Sequence, residues 1–451
     1  MKKQTLISKA SRRFLKITAG FLLLLSVIIV ISSCKKKKPD PGCSELTSGG
    51  FEVVTHTERT VDEVMTQLML LPNDTTEYDY SDFYQETVDS LPNSLQLRPI
   101  AHEVVKYTST DNKGNPIQLT GLLIYPWSAF GRISAPIVSV NHGTQLQKKY
   151  SPSKWKSAST SDWKNYPEMA IADIMAIWYG WIIIMPDYQG MGDDVNENHP
   201  YVIREKLANA TADMVEAAQK SLSCERNAYV QWNGQTFLYG YSEGGYVTMS
   251  AARELESRNV GLQGVVCMDG PYDLSGTMLT EMLKDTPFPV PYFLPMMLVG
   301  YNTIYPNTFP FSAMLKEPYL TDIPKYTTGF YDETVVNGIM PPDKILKKVF
   351  NQAYIDSLQN PKSQAYLSMY GNNSYIDWTP KSHMLLWHCQ NDDCVPFGNY
   401  VAAKKRFTDL GLTNIDYVAW EPVYPKSGTV HVAVAPRAFY EGSRWIYHHS
   451  K

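Results

Sequence analysis

The chain has 451 residues, of which 44% are hydrophobic and 19% are charged, and its formal net charge is −4. This composition excludes a disordered tail, a collagen-like chain and a small protein held together by disulfides. A pI near 6.2 argues against a nucleic-acid-binding protein, which needs clustered positive charge. The length suits one large domain with an insertion, or two or three average domains.

Residues 1–33 have the pattern of an export signal. A basic segment, Lys2–Lys16, precedes an apolar run, Ile17–Ile31, that is short for a membrane span. Two small serines then precede Cys34, which resembles the lipobox of bacterial lipoproteins. That resemblance implies cleavage before Cys34 and a lipid on its sulfur, so the protein is expected in the cell envelope, anchored to the bacterial membrane, with the outer membrane as the expected site.

An uncleaved N-terminal anchor is the alternative to a lipoprotein signal. The run Lys35–Lys38 favours it, because cations after an apolar segment hinder translocation. Residues 34–50 are rich in Lys, Pro, Ser and Gly and are predicted to form a tether. Residues 51–100 are predicted to be an N-terminal extension with one helix, Val61–Leu71, followed by a polar stretch.

Short apolar runs alternate with helix-length segments through residues 101–271 and 383–451. This alternation predicts a mostly parallel sheet with helices on both faces, and a Gly/Asn-rich turn adds an antiparallel hairpin at one edge. The predicted strands are Val104–Tyr107, Leu119–Tyr125, Pro136–Val140, Trp181–Met185, Thr236–Tyr239, Leu262–Met268, Met384–His388 and Ile415–Trp420. The predicted helices are Tyr166–Tyr179, Arg204–Ser221, Glu243–Ser257 and Val434–His448.

Residues 272–382 break this rhythm. They contain no alternation typical of strands, and they are rich in Pro, Met, Phe and Tyr between Pro287 and Leu298. We expect a helical insertion that forms a cap between two strands. Its apolar residues exceed what a surface loop needs, so the cap is expected to cover a site and to select substrates.

The strongest local motif surrounds Ser242. The sequence GYSEGG at 240–245 follows an apolar strand and opens a helix, which is the context of a nucleophile elbow. The glycines permit a tight turn that lifts the serine above the sheet. The backbone N–H of Glu243, at the start of the helix, is then expected to be one oxyanion-hole donor.

A nucleophilic serine needs a base that is oriented by an acid. Asp392 follows the predicted strand Met384–His388, and His431 lies between the last strand and the last helix, so we expect both beside Ser242. Asp269, after the preceding strand, is the alternative acid. Asp393 is instead expected to cap the helix that follows it.

The sequence NHGT at 141–144 ends the third predicted strand. It resembles the H-G-x loop that contributes an oxyanion-hole donor, which here is the backbone N–H of Thr144. Asp187, in a D-x-x-G-x-G turn after the next strand, is expected to shape the loop beside the site, and no catalytic role is assigned to it.

Together these segments resemble the secretory lipase-like branch of the α/β-hydrolases. The resemblance covers roughly residues 100–448 and rests on the opening hairpin, the His-Pro-Tyr sequence at 199–201, the elbow around Ser242, the His388–Pro396 segment and the long insertion. It implies an α/β-hydrolase fold and cofactor-free cleavage of carboxylic esters through an acyl-serine. The expected substrate is a small-molecule, lipid or acylated-glycan ester. Cys389 departs from the family pattern, which has glycine there.

Other chemistries find little support in the sequence. It has no H-E-x-x-H, paired C-x-x-C or P-loop motif, so neither a metal nor a cofactor is expected. A serine peptidase of the same fold and a binding lipoprotein with an inactive hydrolase fold remain the alternatives.

Cys389 and Cys394 are close enough in sequence to form a disulfide, whereas Cys267 is expected to be a buried free thiol.

Overall fold

The computed structural model describes residues 50–68, 98–128, 131–155, 167–194, 196–224 and 227–451, with Asp82, Gln85, Glu86 and Asp89. The predicted signal, Cys34, nearly all of the tether and residues 69–71 of the first predicted helix lie outside the described residues. Within this part of the chain, no helix is both long enough and apolar enough to cross a membrane.

A single nine-stranded sheet organises the described chain. Its strands are β1 (Phe51–Arg59), β2 (Ile100–Thr110), β3 (Pro116–Pro126), β4 (Ile133–Asn141), β5 (Ile182–Pro186), β6 (Val230–Tyr241), β7 (Gly264–Met268), β8 (Met384–Cys389) and β9 (Ile415–Trp420). The spatial order is β1-β2-β3-β5-β4-β6-β7-β8-β9. The pairs β1–β2, β2–β3 and β3–β5 are antiparallel. The remaining pairs of the sheet, from β5–β4 to β8–β9, are parallel.

The chain changes direction across the sheet beside β4. From β4 it continues to β5 on one side, and it then returns past β4 to β6 on the other side. Because β4 and β6 are parallel and Asn141 lies opposite Gly240, the loops that follow them leave the sheet side by side. Such a crossing creates a crevice at the carboxyl ends of the strands, where α/β proteins bind ligands.

In the described part of the chain, four α-helices precede the insertion: α1 (Val61–Leu68), α2 (Pro167–Ile174), α3 (Arg204–Ser223) and α4 (Glu243–Ser257). The helices from the insertion are α5 (Leu279–Met282), α6 (Phe293–Ile304), α7 (Phe311–Met314), α8 (Tyr319–Tyr326), α9 (Glu333–Gly338), α10 (Gln352–Gln359) and α11 (Gln364–Gly371). Two helices close the chain: α12 (Gly398–Asp409) and α13 (Val430–His449).

The sheet is buried on both faces. Successive residues of a strand point to opposite sides, so Ile137 and Val138 of β4 belong to two different apolar clusters. One cluster joins the sheet to α2 and α13, and the other joins it to α3, α4 and α12. Helices on both faces explain why the central strands are almost continuously apolar.

Between β7 and β8 the described chain is mainly helical. Its apolar side chains form a third cluster, which also takes in Tyr246 and Val247 of α4. This cluster packs the insertion over the helix that follows Ser242. The boundaries 272–382 given by the sequence remain a prediction, and the helical segments of this stretch begin at Leu274 and end at Gly371.

Two differences from the sequence-based prediction have a clear physical reason. Strand β1 was not predicted, since only a helix and a polar stretch were expected between residues 51 and 100. It pairs with β2 at the edge of the sheet and is mostly exposed, so it lacks an apolar pattern. Helix α13 begins at Val430 rather than at Val434, because Thr429 caps it by accepting the N–H of Val432 at 3.2 Å.

Candidate active site

Ser242 lies in a sharp turn between β6 and α4. Its backbone has φ 59° and ψ −129°, a strained conformation for a residue with a side chain. Glycines make the turn possible: a Cβ on Gly244 would lie 2.0 Å from the carbonyl oxygen of Asn141, and one on Gly240 would lie 2.2 Å from that of Gly244. The turn therefore projects the hydroxyl of Ser242 beyond the ends of the strands.

His431 connects Ser242 to Asp392. Its Nε2 lies 2.8 Å from Oγ of Ser242, and its Nδ1 lies 2.5 Å from Oδ2 of Asp392. All three residues are buried. The structure thus brings together the serine, the histidine and the acid that were predicted from the sequence, although 189 residues separate Ser242 from His431.

Asp392 is held by backbone groups of its own loop. The N–H groups of Cys394 and Val395 donate to its Oδ1 at 2.9 and 2.8 Å. Burial alone would raise the pKa of this carboxyl, but the charge and the hydrogen bond of His431, with these N–H donors, lower it overall. The ionised carboxylate is therefore the favoured form beside the imidazole.

Asp393 does not cap the helix that follows it, so that expectation was wrong. Helix α12 has Phe397 at its N-cap and no side-chain cap there. The carboxylate of Asp393 instead accepts the N–H groups of Val430 and His431 at 3.1 and 3.2 Å. Asp393 thus holds the first turn of α13, because these N–H groups have no partner inside the helix.

His431 is the second residue of α13, where the sequence predicted a position before the helix. The hydroxyl of Tyr241 donates to its carbonyl oxygen at 2.6 Å, and the two rings lie 4.9 Å apart. Tyr241 directly precedes Ser242 in the chain. The imidazole is therefore held from both the elbow and the acid loop.

The loop after β4 lies against the elbow. A Cβ on Gly143 would lie 3.7 Å from Cβ of Ser242, and the N–H of Gly143 already donates to Glu168 at 3.0 Å. The next N–H, that of Thr144, has no acceptor recorded among the described residues. With Glu243 as the first residue of α4, both predicted oxyanion-hole donors lie in segments that flank the serine.

Three residues that the sequence did not assign to the site hold this oxyanion region. Glu168 binds the N–H of Gly143, and the hydroxyl of Tyr201 lies 2.9 Å from Oγ1 of Thr144. Nε2 of His199 lies 2.8 Å from the buried carboxylate of Glu243. His199 and Tyr201 belong to a His-Pro-Tyr sequence that contributed to the family resemblance, whereas nothing local marks Glu168.

An apolar pocket opens at Ser242. Its lining comes mostly from the insertion, including Leu274, Met278, Met282, Phe288, Phe293 and Met297, with Tyr201 and Cys394 from the core. Phe288 and Glu281 also border a second, polar cleft that contains Lys284, Lys344 and Asp393. The pocket suits an apolar group of a molecule that binds beside Ser242.

The structure also brings potential metal ligands close together. One atom each of Asp269, His388 and Asp392 lie within 4.8 Å of one another, as do atoms of Asp392, Asp393 and Cys394. Nε2 of His388 lies 2.8 Å from the carbonyl oxygen of Val395. A carbonyl only accepts, so this nitrogen carries a hydrogen and offers no lone pair to a metal.

Comparisons with known proteins agree with this architecture. A family model for secretory lipases matches residues 165–317, which include the elbow and the first half of the insertion. A Legionella pneumophila protein described as a hydrolase has 21% identity and a TM-score of 0.70, covering 88% of this chain and 98% of its own. No curated protein matches the sequence significantly.

Two further solved structures are similar. The rice cell wall degrading esterase LipA from Xanthomonas oryzae has 20% identity and a TM-score of 0.64, covering 86% of this chain and 96% of its own. Candida antarctica lipase A has 14% identity and a TM-score of 0.54, covering 85% and 80%. Residues 165–317 thus resemble the secretory lipases, and the chain has the fold of these esterases and lipases.

The predicted fold class is therefore confirmed, and the family match supports hydrolysis of esters in general.

Three cysteines of the described chain, Cys267, Cys389 and Cys394, are buried free thiols. The expectation for Cys267 is confirmed, whereas the suggested disulfide between Cys389 and Cys394 was wrong. Burial raises the pKa of Cys389 to about 11, so its thiol is un-ionised at neutral pH.

Proposed function

We propose that this chain hydrolyses carboxylic esters through an acyl-serine intermediate. Ser242 is the nucleophile, His431 the general base and then the general acid, and Asp392 the acid that orients His431. The observation that supports this most strongly is that His431 is within hydrogen-bond distance of Ser242 at one nitrogen and of Asp392 at the other.

In the first half of the reaction, Oγ of Ser242 attacks the ester carbonyl carbon and transfers its proton to Nε2 of His431. The negative charge that develops on the carbonyl oxygen is stabilised by the N–H groups of Glu243 and Thr144. The imidazolium, stabilised by Asp392, then donates its proton to the departing alcohol oxygen. This step breaks the C–O bond and leaves the acyl group on Ser242.

In the second half, water replaces the alcohol. His431 accepts a proton from the water, whose oxygen attacks the acyl carbon, and then returns the proton to Oγ of Ser242 as the carboxylic acid leaves. The apolar lining of the pocket at Ser242 supports an ester with an apolar acyl group, whether in a lipid, a small molecule or an acylated glycan.

We also propose that the protein is anchored to the bacterial cell envelope through a lipid on Cys34. The basic and apolar residues before it and the small residues at positions 32 and 33 support this proposal. Two acyl chains on one cysteine, with or without a third on its amine, provide stable membrane attachment. The enzyme would then act on esters at or near that surface.

Turnover of a nitrophenyl ester by Ser242→Ala and His431→Asn tests the proposed chemistry. Each variant is expected to lose turnover by on the order of 10⁴-fold or more. Ser250→Ala is the matched control, because Ser250 is a buried serine of α4 whose hydroxyl donates to the carbonyl oxygen of Tyr246 at 2.7 Å. If folded Ser242→Ala keeps wild-type turnover, the proposal is wrong. A matched anilide, tested in parallel, separates esterase from peptidase activity.

A further inference from the structure

Asp269 is a second carboxyl group behind the proposed catalytic acid. It directly follows β7, has φ 41° and is completely buried. Its Oδ1 accepts the N–H of Cys389 at 2.9 Å, and its Oδ2 has no hydrogen-bond partner among the described residues. The sequence marks Asp269 only as an alternative acid, and the mechanism above does not use it.

Among the described residues, no positive charge beside Asp269 compensates for a second carboxylate. One oxygen each of Asp269 and Asp392 lie within 4.8 Å of one another and of a nitrogen of His388. Nε2 of His388 is bonded to a backbone carbonyl, and burial lowers the pKa of His388 to about 4. His388 is therefore neutral at physiological pH.

The other titratable groups that face Asp269 are also uncharged at neutral pH. They are Tyr241 from β6, Tyr272 after β7 and Cys389 from β8. Burial raises the pKa of both tyrosines well above the usual value, and it raises that of Cys389 to about 11. His431 faces the far oxygen of Asp392, to which it is bonded. If Asp269 and Asp392 were both ionised, these two adjacent carboxylates would thus share His431 as their one partner.

The hydrogen bonds decide which carboxyl keeps a proton. Asp392 accepts three N–H groups, from Cys394, Val395 and His431, whereas Asp269 accepts one. Donors to a carboxylate favour its ionised form, and two neighbouring carboxylates in a dry site cannot both ionise readily. The proton therefore belongs on Asp269.

We propose that Asp269 remains a neutral carboxylic acid at physiological pH, and that its O–H, turned toward Asp392, makes it a positioning residue for the triad acid. The positioning role rests on the proposed function, while the protonation state does not. Burial and the charge of Asp392 raise the pKa of Asp269 well above its usual value. One negative charge then faces His431, and it is confined to Asp392.

Protonation of Asp269 makes stability depend on pH. In the unfolded chain this carboxyl ionises near pH ~3.9, whereas in the folded state it keeps its proton to much higher pH. The folded state therefore holds the extra proton, and stability falls as pH rises from the unfolded pKa through the raised folded pKa. Asp269→Asn cannot ionise and escapes this loss.

Denaturant unfolding of wild type and Asp269→Asn at about pH 5.5, 7.0 and 8.5 tests the protonation. The unfolding constant of wild type relative to the variant is expected to rise by up to tenfold per pH unit. Asp111→Asn is the control, since hydrogen bonds from Asn115 lower the pKa of the half-buried Asp111 and its offset should not vary over this range. An equally constant offset for Asp269→Asn would overturn the proposal.

A measurement on the wild type covers the case in which Asp269→Asn does not fold. With ¹³C-labelled aspartate, NMR should show one carboxyl carbon that stays in its protonated form at pH 7, far above the usual aspartate pKa of ~3.9. A spectrum in which every aspartate carboxyl is ionised at pH 7 would overturn the proposal.

Kinetics test the positioning role. Asp269→Leu removes the donor, so its kcat is expected to fall by on the order of tenfold, the equivalent of one hydrogen bond to a charged group. The amide of Asp269→Asn can still donate to Asp392 and should restore most of that loss. KM should not move, because Asp269 does not line the apolar pocket. Equal losses of kcat in both variants would overturn the positioning role. If Ser242→Ala kept its activity, the proposed function and the positioning role of Asp269 would be wrong. The proposed protonation state of Asp269 would still stand.

Discussion

His431 is fixed by three contacts that come from two parts of the chain, the loop of Asp392 and Asp393 and the elbow at Tyr241. Asp392 binds its Nδ1, Asp393 binds its backbone N–H, and Tyr241 binds its carbonyl oxygen. Each contact alone contributes about 1 kcal/mol, or more where a carboxylate is involved. Together they position Nε2 toward Ser242 before any substrate binds, and such preorganisation is what proton transfer in the transition state needs.

Replacing Asp392 by Asn should reduce turnover by on the order of 10⁴-fold while the protein stays folded. The amide cannot stabilise the imidazolium, and it favours the wrong tautomer of His431. Turnover of one activated ester, with folding checked by circular dichroism, measures the effect. If Asp392→Asn kept near-native turnover while Asp269→Asn or Asp393→Asn lost it, the acid would have to be reassigned.

Asp393→Asn should change turnover by about tenfold or less, because its remaining carbonyl oxygen can still accept one N–H of α13. Asp393→Ala loses both acceptors, and it should cost about 1 kcal/mol in free energy of unfolding and lower kcat further. The same ester assay and denaturant unfolding measure both effects. An Ala variant that matches the Asn variant in stability and kcat would show that the contact with α13 is unimportant.

The positions of Ser242, Asp392 and His431 could be predicted because each is marked by a local pattern at the end of a strand. The partners of Asp393 and Glu168 could not be predicted. Asp393 binds N–H groups 37 and 38 residues away, and Glu168 binds one 25 residues away. Asp and Glu beside a turn look alike in sequence whether they cap the next helix or one brought near by the fold.

At the scale of elements, the elbow depends on the absence of a side chain at Gly244. Gly244→Ala would place a methyl group 2.0 Å from the carbonyl oxygen of Asn141, so α4 must shift away from β4. We expect a loss of about 1–3 kcal/mol in free energy of unfolding and a fall in turnover of on the order of 100-fold. Denaturant unfolding and the ester assay measure the two effects.

Gly261→Ala is the control for this substitution. A Cβ on Gly261 meets nothing within 4 Å, and its φ is not in the left-handed region. It should therefore leave turnover unchanged and leave stability equal or slightly higher, by up to about 1 kcal/mol. If Gly244→Ala behaved like Gly261→Ala, the close packing of the elbow against β4 would be refuted.

Helix α6 places Met297 in the wall of the apolar pocket. Met297→Lys should shift the preferred acyl chain length of nitrophenyl esters more than it lowers thermal stability, because the charge faces the substrate. Met296→Lys is the matched control: Met296 is equally buried on the same helix, but it borders a separate cavity with Gln145 and Thr327. A large stability loss with unchanged preference would mean that Met297 only packs the insertion against the core.

Most strands and core helices were predictable because burial on both faces makes them apolar and regular. Strand β1 was not, since most of Phe51–Arg59 is exposed at the edge of the sheet and shows no period-2 pattern. The start of α13 was missed for another reason. Val430 and Val432 are β-branched and weak helix formers, and the caps from Thr429 and Asp393 compensate for this.

At the scale of the whole molecule, the proposed anchor determines where the enzyme acts. Cys34→Ala should block both signal cleavage and acylation, because the thiol is the group that receives the lipid. Metabolic labelling with palmitate and the apparent mass of the mature protein measure the two steps. Unchanged processing and labelling in Cys34→Ala would contradict the lipoprotein proposal and favour the uncleaved anchor.

Reaction with a fluorophosphonate, followed by peptide mass spectrometry, tests the central claim most directly. This probe forms a stable bond only with a serine that is activated as a nucleophile. We expect one adduct, on Ser242 of the wild type, that is absent in Ser242→Ala and forms far more slowly in folded His431→Asn. A folded wild-type protein without an adduct on Ser242, or with equally fast labelling in His431→Asn, would contradict that claim.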